Sequence, residues 1–223
     1  MPRMLNVNCD GNKKLVNTDK VRFMIWNLPV IKTCPFRTAH CEGKCYARKA
    51  EKCYPTCLPS RESNYQETLK DDFVENMIYT IEKKLSGRGF RGKLAVFRIH
   101  ESGDFYSLEY TRKWIEIAKH FEYDKRIVFT AYTKSIPYFI ECGYGFPQFP
   151  QNLIVRSSLW DDTDPELVEL TERYNFPTYT ALELELIEIA LKTGTLFYCR
   201  CNDCATCLAC YSNKKKDVAC AIH

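Results

Sequence analysis

The stretch that decides the fold runs from residue 94 to residue 132 and reads LAVFRIHESGDFYSLEYTRKWIEIAKHFEYDKRIVFTAY. It opens with Leu94–Ile99, a short apolar run rich in residues that favour strands. The segment from Tyr110 to Phe121 then places its apolar residues at helical spacing, and Ile127–Tyr132 is a second apolar run. A strand, a helix and a strand in this order predict a right-handed βαβ unit, whose two strands are parallel.

The same alternation continues on both sides of this unit. Further strands are predicted at Val21–Trp26, Asn152–Ser157, Thr178–Leu182 and Thr195–Tyr198. A long helix is predicted from Ser60 to Leu85, and shorter helices begin at Pro165 and Ile187. About six such units are too few for a closed eight-stranded barrel.

We therefore predict an α/β fold, a partial or open (β/α) barrel of about six parallel strands with cysteine-rich N- and C-terminal segments. Residues 1–223 are treated as a single iron–sulfur α/β domain. Residues 20–60 hold the first cysteine loop, residues 94–198 the scaffold and residues 199–223 the C-terminal cysteine-rich segment.

Composition narrows the class of protein. Hydrophobic residues make up 45% of the 223 residues, which is enough for a sizeable core. The net charge of +4 and the short run Lys214–Lys216 fall below what a dedicated nucleic-acid binder shows, so nucleic acid is disfavoured as a partner. No apolar run reaches the roughly 18 residues of a membrane span, and the start lacks an apolar signal segment. We expect a reducing cytoplasm, where 13 cysteines do not form disulfides.

The first cysteine group is Cys34, Cys41 and Cys45, which lie in one loop after the first predicted strand. Thiolates suit zinc, copper(I) or iron–sulfur clusters, but zinc knuckles usually contribute two closely spaced ligands at a time. Three cysteines at wider spacing favour a [4Fe–4S] cluster with one iron left open. The segment nearly matches the radical-SAM motif C-x3-C-aromatic-x-C, with Tyr46 as the aromatic residue and Arg48 in place of the last cysteine. We assign Tyr46 and Arg48 to cofactor binding.

The second group is metal-binding by the same reasoning, because no packing role explains so dense a set: Cys199, Cys201, Cys204, Cys207 and Cys210. Its C-x2-C-x2-C part repeats the start of the bacterial ferredoxin run, whose fourth cysteine comes from elsewhere in the chain. That fourth ligand is left open among Cys199, Cys201, Cys220 and Cys34. We predict one or two [4Fe–4S] clusters in all, with zinc as the alternative, since C-x2-C also forms zinc knuckles.

Three ionisable side chains, His100, Glu101 and Asp104, follow the Leu94–Ile99 strand around a glycine. Loops after the C-terminal ends of parallel strands carry the working residues of such folds. We assign the three side chains to catalysis, where they ligate, hydrogen-bond a substrate or move a proton. The alternative is a helix N-terminal cap supplied by Asp104 or Ser107.

Several segments resemble the phage "gene product 88" family of small cysteine-rich proteins. The matching segments are Ile25–Pro29, Cys34–Pro35, Cys41, Cys45–Ala50, Leu58–Arg61, Phe97–Tyr106, Ala131–Ser135 and the run Cys204-x2-Cys207-x2-Cys210. The resemblance covers roughly residues 20–223 and implies a phage or prophage setting, with the host cytoplasm as location, rather than a reaction. A more distant likeness to radical-SAM barrels depends on the near-match at Cys41 and Cys45, from which Arg48 departs.

Three classes of function remain. The first is a redox or radical-SAM-like enzyme with a small-molecule or protein substrate, an electron donor and S-adenosylmethionine as a candidate ligand. The second is a noncatalytic iron–sulfur electron-transfer or binding protein. The third is a zinc-stabilised interaction module. The large scaffold favours an enzyme, because a ferredoxin needs no barrel, but whether the protein is an enzyme is left open.

Overall fold

A single parallel sheet organises the chain. The computed structural model describes residues 1–8, 14–194, 197–199, 203–212 and 217–221. Within them seven strands form one sheet that curls into a half-barrel, and all paired neighbours are parallel. The strands are β1 Val21–Trp26, β2 Leu94–Ile99, β3 Ile127–Thr133, β4 Leu153–Leu159, β5 Thr178–Leu182, β6 Phe197–Tyr198 and β7 Asp217–Ala221. The prediction of a partial α/β barrel of parallel strands is confirmed.

The strand order is β1-β2-β3-β4-β5-β7-β6, so the last strand lies between the two that precede it in the chain. The sequence prediction omitted β7, because its five residues include only one β-branched side chain, Val218. Thr195 and Leu196, which the prediction included in β6, lie outside the described residues. The Cys199 amide donates a hydrogen bond to the Ala219 carbonyl at 2.7 Å, so β6 runs directly beside β7.

Helices connect the strands. They are α1 Ala39–Gly43, α2 Tyr46–Cys53, α3 Cys57–Thr68, α4 Phe73–Ser86, α5 Leu108–His120, α6 Ile136–Glu141, α7 Pro165–Arg173, α8 Leu184–Thr193 and α9 Cys204–Cys207, with 3₁₀ turns at Arg88–Phe90 and Ala209–Tyr211. The single helix predicted over Ser60–Leu85 is wrong, because the chain breaks between α3 and α4. The Lys113 ammonium group binds the carbonyls of Thr68 and Lys70 at 2.9 and 3.3 Å. It thereby satisfies acceptors at the end of α3 that a continuing helix would have used.

One face of the sheet packs against α4, α5 and α6. Side chains alternate along a strand, so Phe97 and Phe129 point to this outer face, and their rings stack with centroids 5.5 Å apart. Trp114 of α5 lies 5.3 Å from Phe97 and 6.0 Å from Phe73 of α4. All four rings are fully buried, and this aromatic layer makes the scaffold rigid.

The opposite, inner face packs against the C-terminal segment 203–212. Phe23, Val96 and Val128 of the first three strands form a second apolar cluster with Cys204 and Tyr211. The Phe23 and Tyr211 rings lie 5.9 Å apart. The cysteine-bearing segment is therefore packed into the concave side of the half-barrel.

A buried arginine on β4 holds this segment in place. The Arg156 side chain is fully buried, and its Nε atom donates to the Cys210 carbonyl at 3.2 Å. Its Nη2 atom donates to the carbonyls of Ala209 and Ser212 at 3.1 and 3.0 Å. One guanidinium therefore satisfies three carbonyls of a turn that has no strand partner there.

We expect Arg156→Met to release the C-terminal segment. Methionine has a similar apolar volume but cannot donate hydrogen bonds to the buried carbonyls. Each unsatisfied carbonyl costs up to about 3 kcal/mol of stability. Hydrogen exchange should rise in residues 203–212 while β1–β3 stay protected. Arg126→Met, at an exposed arginine paired with Asp124, is the matched control. Unchanged exchange in residues 203–212 of Arg156→Met would contradict the clamp.

Candidate functional site

The first cysteine loop lies at the C-terminal end of β1, as predicted from the parallel sheet. Cys41 lies in α1. Its amide donates to the Thr38 hydroxyl oxygen at 3.2 Å, so Thr38 is the N-cap of this helix. Cys45 directly precedes α2. The Cys34 amide donates to the Ile31 carbonyl at 3.2 Å, which closes a tight turn before the cysteine.

The three thiols of this loop are close enough for their charges to interact. Burial raises the pKa of the Cys34 thiol to about 12, and Asp104, Cys41 and Cys45 add to the rise. Burial also raises the pKa of Cys41, against the opposing effect of Lys134. A coordinated metal cation reverses this preference, because it deprotonates the thiols that bind it. Without such a cation, these cysteines are therefore thiols rather than thiolates near neutral pH.

The loop after β2 docks on the first cysteine loop with little clearance. The Ser102 hydroxyl donates to the Leu28 carbonyl at 2.9 Å, and the Asp104 amide donates to the Thr33 carbonyl at 3.0 Å. Gly103 lies between them with φ +77°, and a Cβ built there would lie 2.6 Å from Thr33 Oγ1 and 2.7 Å from Leu28 Cβ. Only glycine fits this contact.

A buried carboxylate and a buried ammonium group flank these cysteines. Asp104 accepts hydrogen bonds from the Thr133 hydroxyl at 2.5 Å and the Lys134 amide at 3.0 Å. Burial raises the pKa of Asp104, and these hydrogen bonds oppose the rise. The Lys134 ammonium donates to the Ser158 carbonyl at 3.0 Å; burial lowers its pKa, and Cys41 and Asp104 oppose this. Lys134 was not predicted as a site residue, although it directly follows β3 as His100 directly follows β2.

His100 lies away from the cysteines, in the aromatic layer of the outer face. Its Nε2 atom is 2.8 Å from the Tyr110 hydroxyl oxygen, and its ring centroid is 4.7 Å from that of Phe105. Burial, and then the charge of Arg98, lowers the pKa of His100 to about 3, so the imidazole is neutral at pH 7. Its backbone has a left-handed conformation with φ +64°, and its side chain packs against Phe105 and Tyr110. Its assignment to catalysis stays a prediction.

Glu101, Tyr46 and Arg48 lie at the outer margin of the first loop. The Tyr46 hydroxyl donates to the Glu101 carbonyl at 2.6 Å, while the ring itself is largely exposed. Arg48 pairs with Glu42 at 3.3 Å. The hydrogen bond from Tyr46 ties α2 to the loop after β2, and the roles of these residues in cofactor binding and catalysis stay predictions.

The C-terminal cysteines form a second group on the inner face. Cys199 interacts electrostatically with three other cysteines, Cys204, Cys210 and Cys220. Cys204 and Cys210 lie in the segment clamped by Arg156, and Cys220 lies near the end of β7. Cys207 lies one helical turn after Cys204 in α9, and Cys201 lies outside the described residues. Sequence reasoning therefore undervalued Cys220, because its approach depends on the pairing of β6 with β7.

Three tyrosines lie beside three of these cysteines. Tyr211 lies beside Cys204, Tyr132 beside Cys210 and Tyr179 beside Cys220, and each lowers the pKa of its cysteine against the burial that raises it. The Tyr132 and Tyr179 rings pack edge to face with centroids 4.7 Å apart. The sequence carried no local signal for these residues, because the three tyrosines come from distant parts of the chain.

Arg98 of β2 lies between the two cysteine groups. Its guanidinium stacks on the Tyr132 ring at 3.7 Å from the centroid. Its positive charge lowers the pKa of Cys204 and of Cys210. It also interacts with Tyr46 and Glu101 beside the first loop. The charge of Arg98 thus acts on residues beside both cysteine groups.

The spacing of ligand atoms distinguishes kinds of metal site. In the described part of the chain, only His40, Asp161 and Asp162 form a group of three histidine, cysteine or acidic side chains whose ligand atoms lie mutually within 4.8 Å. This group docks α1 on the loop after β4, since His40 Nδ1 lies 2.7 Å from Asp161 Oδ1. Tetrahedral zinc would need its sulfurs about 3.8 Å apart. The described cysteines do not form a group of three at this spacing.

A half-barrel of parallel strands with two groups of cysteines defines a cysteine-rich α/β protein. The family model for gene product 88 matches residues 5–221, so the chain belongs to this phage protein family. No curated protein and no solved structure matches the chain. No helix within the described ranges is long and apolar enough to cross a membrane.

We expect His100 to lower the stability of the folded protein as the pH falls from 6.5 to 5. The unfolded chain binds a proton near the ordinary histidine pKa of 6.5, whereas the folded chain binds it only near 3. The stabilising contribution is therefore present above pH 6.5 and is lost as the pH falls, by about 1.4 kcal/mol per pH unit. Asparagine tolerates the positive φ, so His100→Asn should remove this part of the slope between pH 6.5 and 5.

Unfolding free energies from urea titrations at several pH values check the difference in slope. His120→Asn, at an exposed histidine, is the control. Equal slopes in the wild type and His100→Asn would refute a buried neutral imidazole.

We expect Gly103→Ala to be more costly than Gly92→Ala. Both residues have positive φ, but a Cβ at Gly92 meets nothing within 4 Å. Gly92→Ala should therefore cost about 1 kcal/mol of backbone strain, and Gly103→Ala a further 1–3 kcal/mol or so from the contacts with Thr33 and Leu28. Urea unfolding measures both, and equal costs would show that the two loops are not in close contact.

Proposed function

We propose that the protein binds a [4Fe–4S] cluster through Cys34, Cys41 and Cys45 and acts as a redox or radical-SAM-like enzyme. The observation that carries the proposal is the gathering of three thiols at the C-terminal edge of a parallel sheet, where α/β enzymes bind their ligands. A cluster bound there supplies one-electron chemistry.

The donor set suits a cluster with one open position. Three thiolates hold three irons, which leaves the fourth for a small ligand, with S-adenosylmethionine or the substrate as candidates. Cys34 takes the place of the motif cysteine that Arg48 replaces, and the pairing of Arg48 with Glu42 is consistent with this exchange.

The chain's own residues would hold the charge of such a site. Lys134 is a buried cation next to Cys41 and offsets the negative thiolates. Asp104 holds the Lys134 backbone amide and lies near Cys34, so it acts as a positioning residue. A noncatalytic electron-transfer protein is the second candidate, favoured by the second cysteine group across Arg98 from the first.

Anaerobic purification tests the proposal. The wild-type protein should be brown, with broad visible absorption that bleaches on reduction, and should contain iron and acid-labile sulfide. Cys41→Ser should lower iron and sulfide together, whereas Cys53→Ser, at an exposed cysteine, should leave both unchanged. A colourless protein with stoichiometric zinc and no sulfide would overturn the proposal.

A further inference from the structure

We propose that a second iron–sulfur cluster binds on the inner face of the half-barrel through four thiolates: Cys199, Cys204, Cys210 and Cys220. This inference extends the proposed function but concerns a separate site with its own ligands. It differs from the assignment that the C-x2-C-x2-C spacing suggests, because Cys220 replaces Cys207.

The approach of the four cysteines depends on β7. The Cys199 amide binds the Ala219 carbonyl at 2.7 Å, which places Cys199 beside the end of β7 that carries Cys220. Arg156 binds the Cys210 carbonyl at 3.2 Å and so brings the 3₁₀ turn to the same face. The Cys204 amide donates to the Lys14 carbonyl at 2.9 Å, which fixes the start of α9.

The surroundings of these sulfurs suit a bound anion of thiolates and iron. Arg98 and Arg156 bring two guanidinium groups near Cys210. Leu15, Phe23 and Val96 enclose the region with apolar side chains. A buried thiolate cluster needs both, because cations offset its charge and an apolar shell excludes water.

The tyrosines distinguish this site from a simple set of thiols. Tyr211, Tyr132 and Tyr179 lie beside Cys204, Cys210 and Cys220, so that each hydroxyl can donate to a ligand sulfur. A hydrogen bond to a ligand sulfur stabilises the more negative, reduced cluster and so raises its reduction potential. We expect the three hydroxyls to tune the potential of the cluster rather than to hold it.

The ligand set is tested in the full-length chain with Cys34, Cys41 and Cys45 replaced by Ser, which isolates the second site. After anaerobic loading with ferrous iron and sulfide, this chain should keep one cluster. Adding Cys220→Ser should abolish that cluster, and adding Cys207→Ser should leave its iron, sulfide and spectrum intact. Cys142→Ser is the control. Loss with Cys207→Ser and retention with Cys220→Ser would overturn the assignment, as would zinc binding without sulfide.

The tyrosines are tested by redox titration of the same isolated cluster. Each of Tyr132→Phe, Tyr179→Phe and Tyr211→Phe should lower the equilibrium constant for reduction of the cluster about fivefold, a typical value for one hydrogen bond. For one electron, this lowers the reduction potential by about 40 mV. Tyr123→Phe, at an exposed tyrosine, should leave the potential unchanged. Unchanged potentials in all three would refute the hydrogen bonds to cluster sulfurs. A wild-type protein without iron and sulfide would instead reject the proposed function itself.

Discussion

The buried guanidinium of Arg156 is the interaction on which the inner side of the molecule depends. A parallel half-barrel with helices on its outer face leaves its inner face without a partner. Here the segment from Asp203 to Ser212 lies on that face as two short helical turns, which leave several of their carbonyls without a helical partner. Its carbonyls must be satisfied in a buried place, and one planar group with five donors does so from the middle of β4. A strand that looks purely structural thereby positions a cysteine segment that lies about fifty residues further along the chain.

Arg156 is one of three cations that affect the protonation of the cysteines. Thiol groups that burial keeps protonated become favourable as thiolates only when positive charge is near. Arg98 and Arg156 serve the C-terminal group, and Lys134 serves the first loop. All three side chains arise from strands of the sheet or directly after one, so the rigid aromatic layer fixes the charges against which the cysteines are set. The cysteine segments consist of short helices and turns, and their electrostatic environment comes from the scaffold.

The strands and the first cysteine loop could be predicted from the sequence, because apolar runs such as Leu94–Ile99 and the order of strands and helices are local signals. The position of β7 could not, since pairing between β5 and β6 is a property of the whole sheet. For the same reason Cys220 was only one of four candidates for a fourth ligand, and the three tyrosines were not predicted at all. His100 was assigned to catalysis because it follows a strand, but its backbone is left-handed and its ring is buried in the core. Arg156 gave no signal either, because a lone charge in a short apolar run resembles an exposed position.

The place of β7 in the sheet also bears on the order in which the protein matures during synthesis. β1, β2 and β3 are neighbours in the chain and in space, so they can pair while the ribosome is still making the rest. β7 follows every other strand in the chain but lies between two of them, and both of its ladders form only after residue 221 is made. The edges of β5 and β6 that await it stay unpaired until then. The first cysteine loop is therefore complete early in translation, whereas the group that includes Cys220 is assembled last.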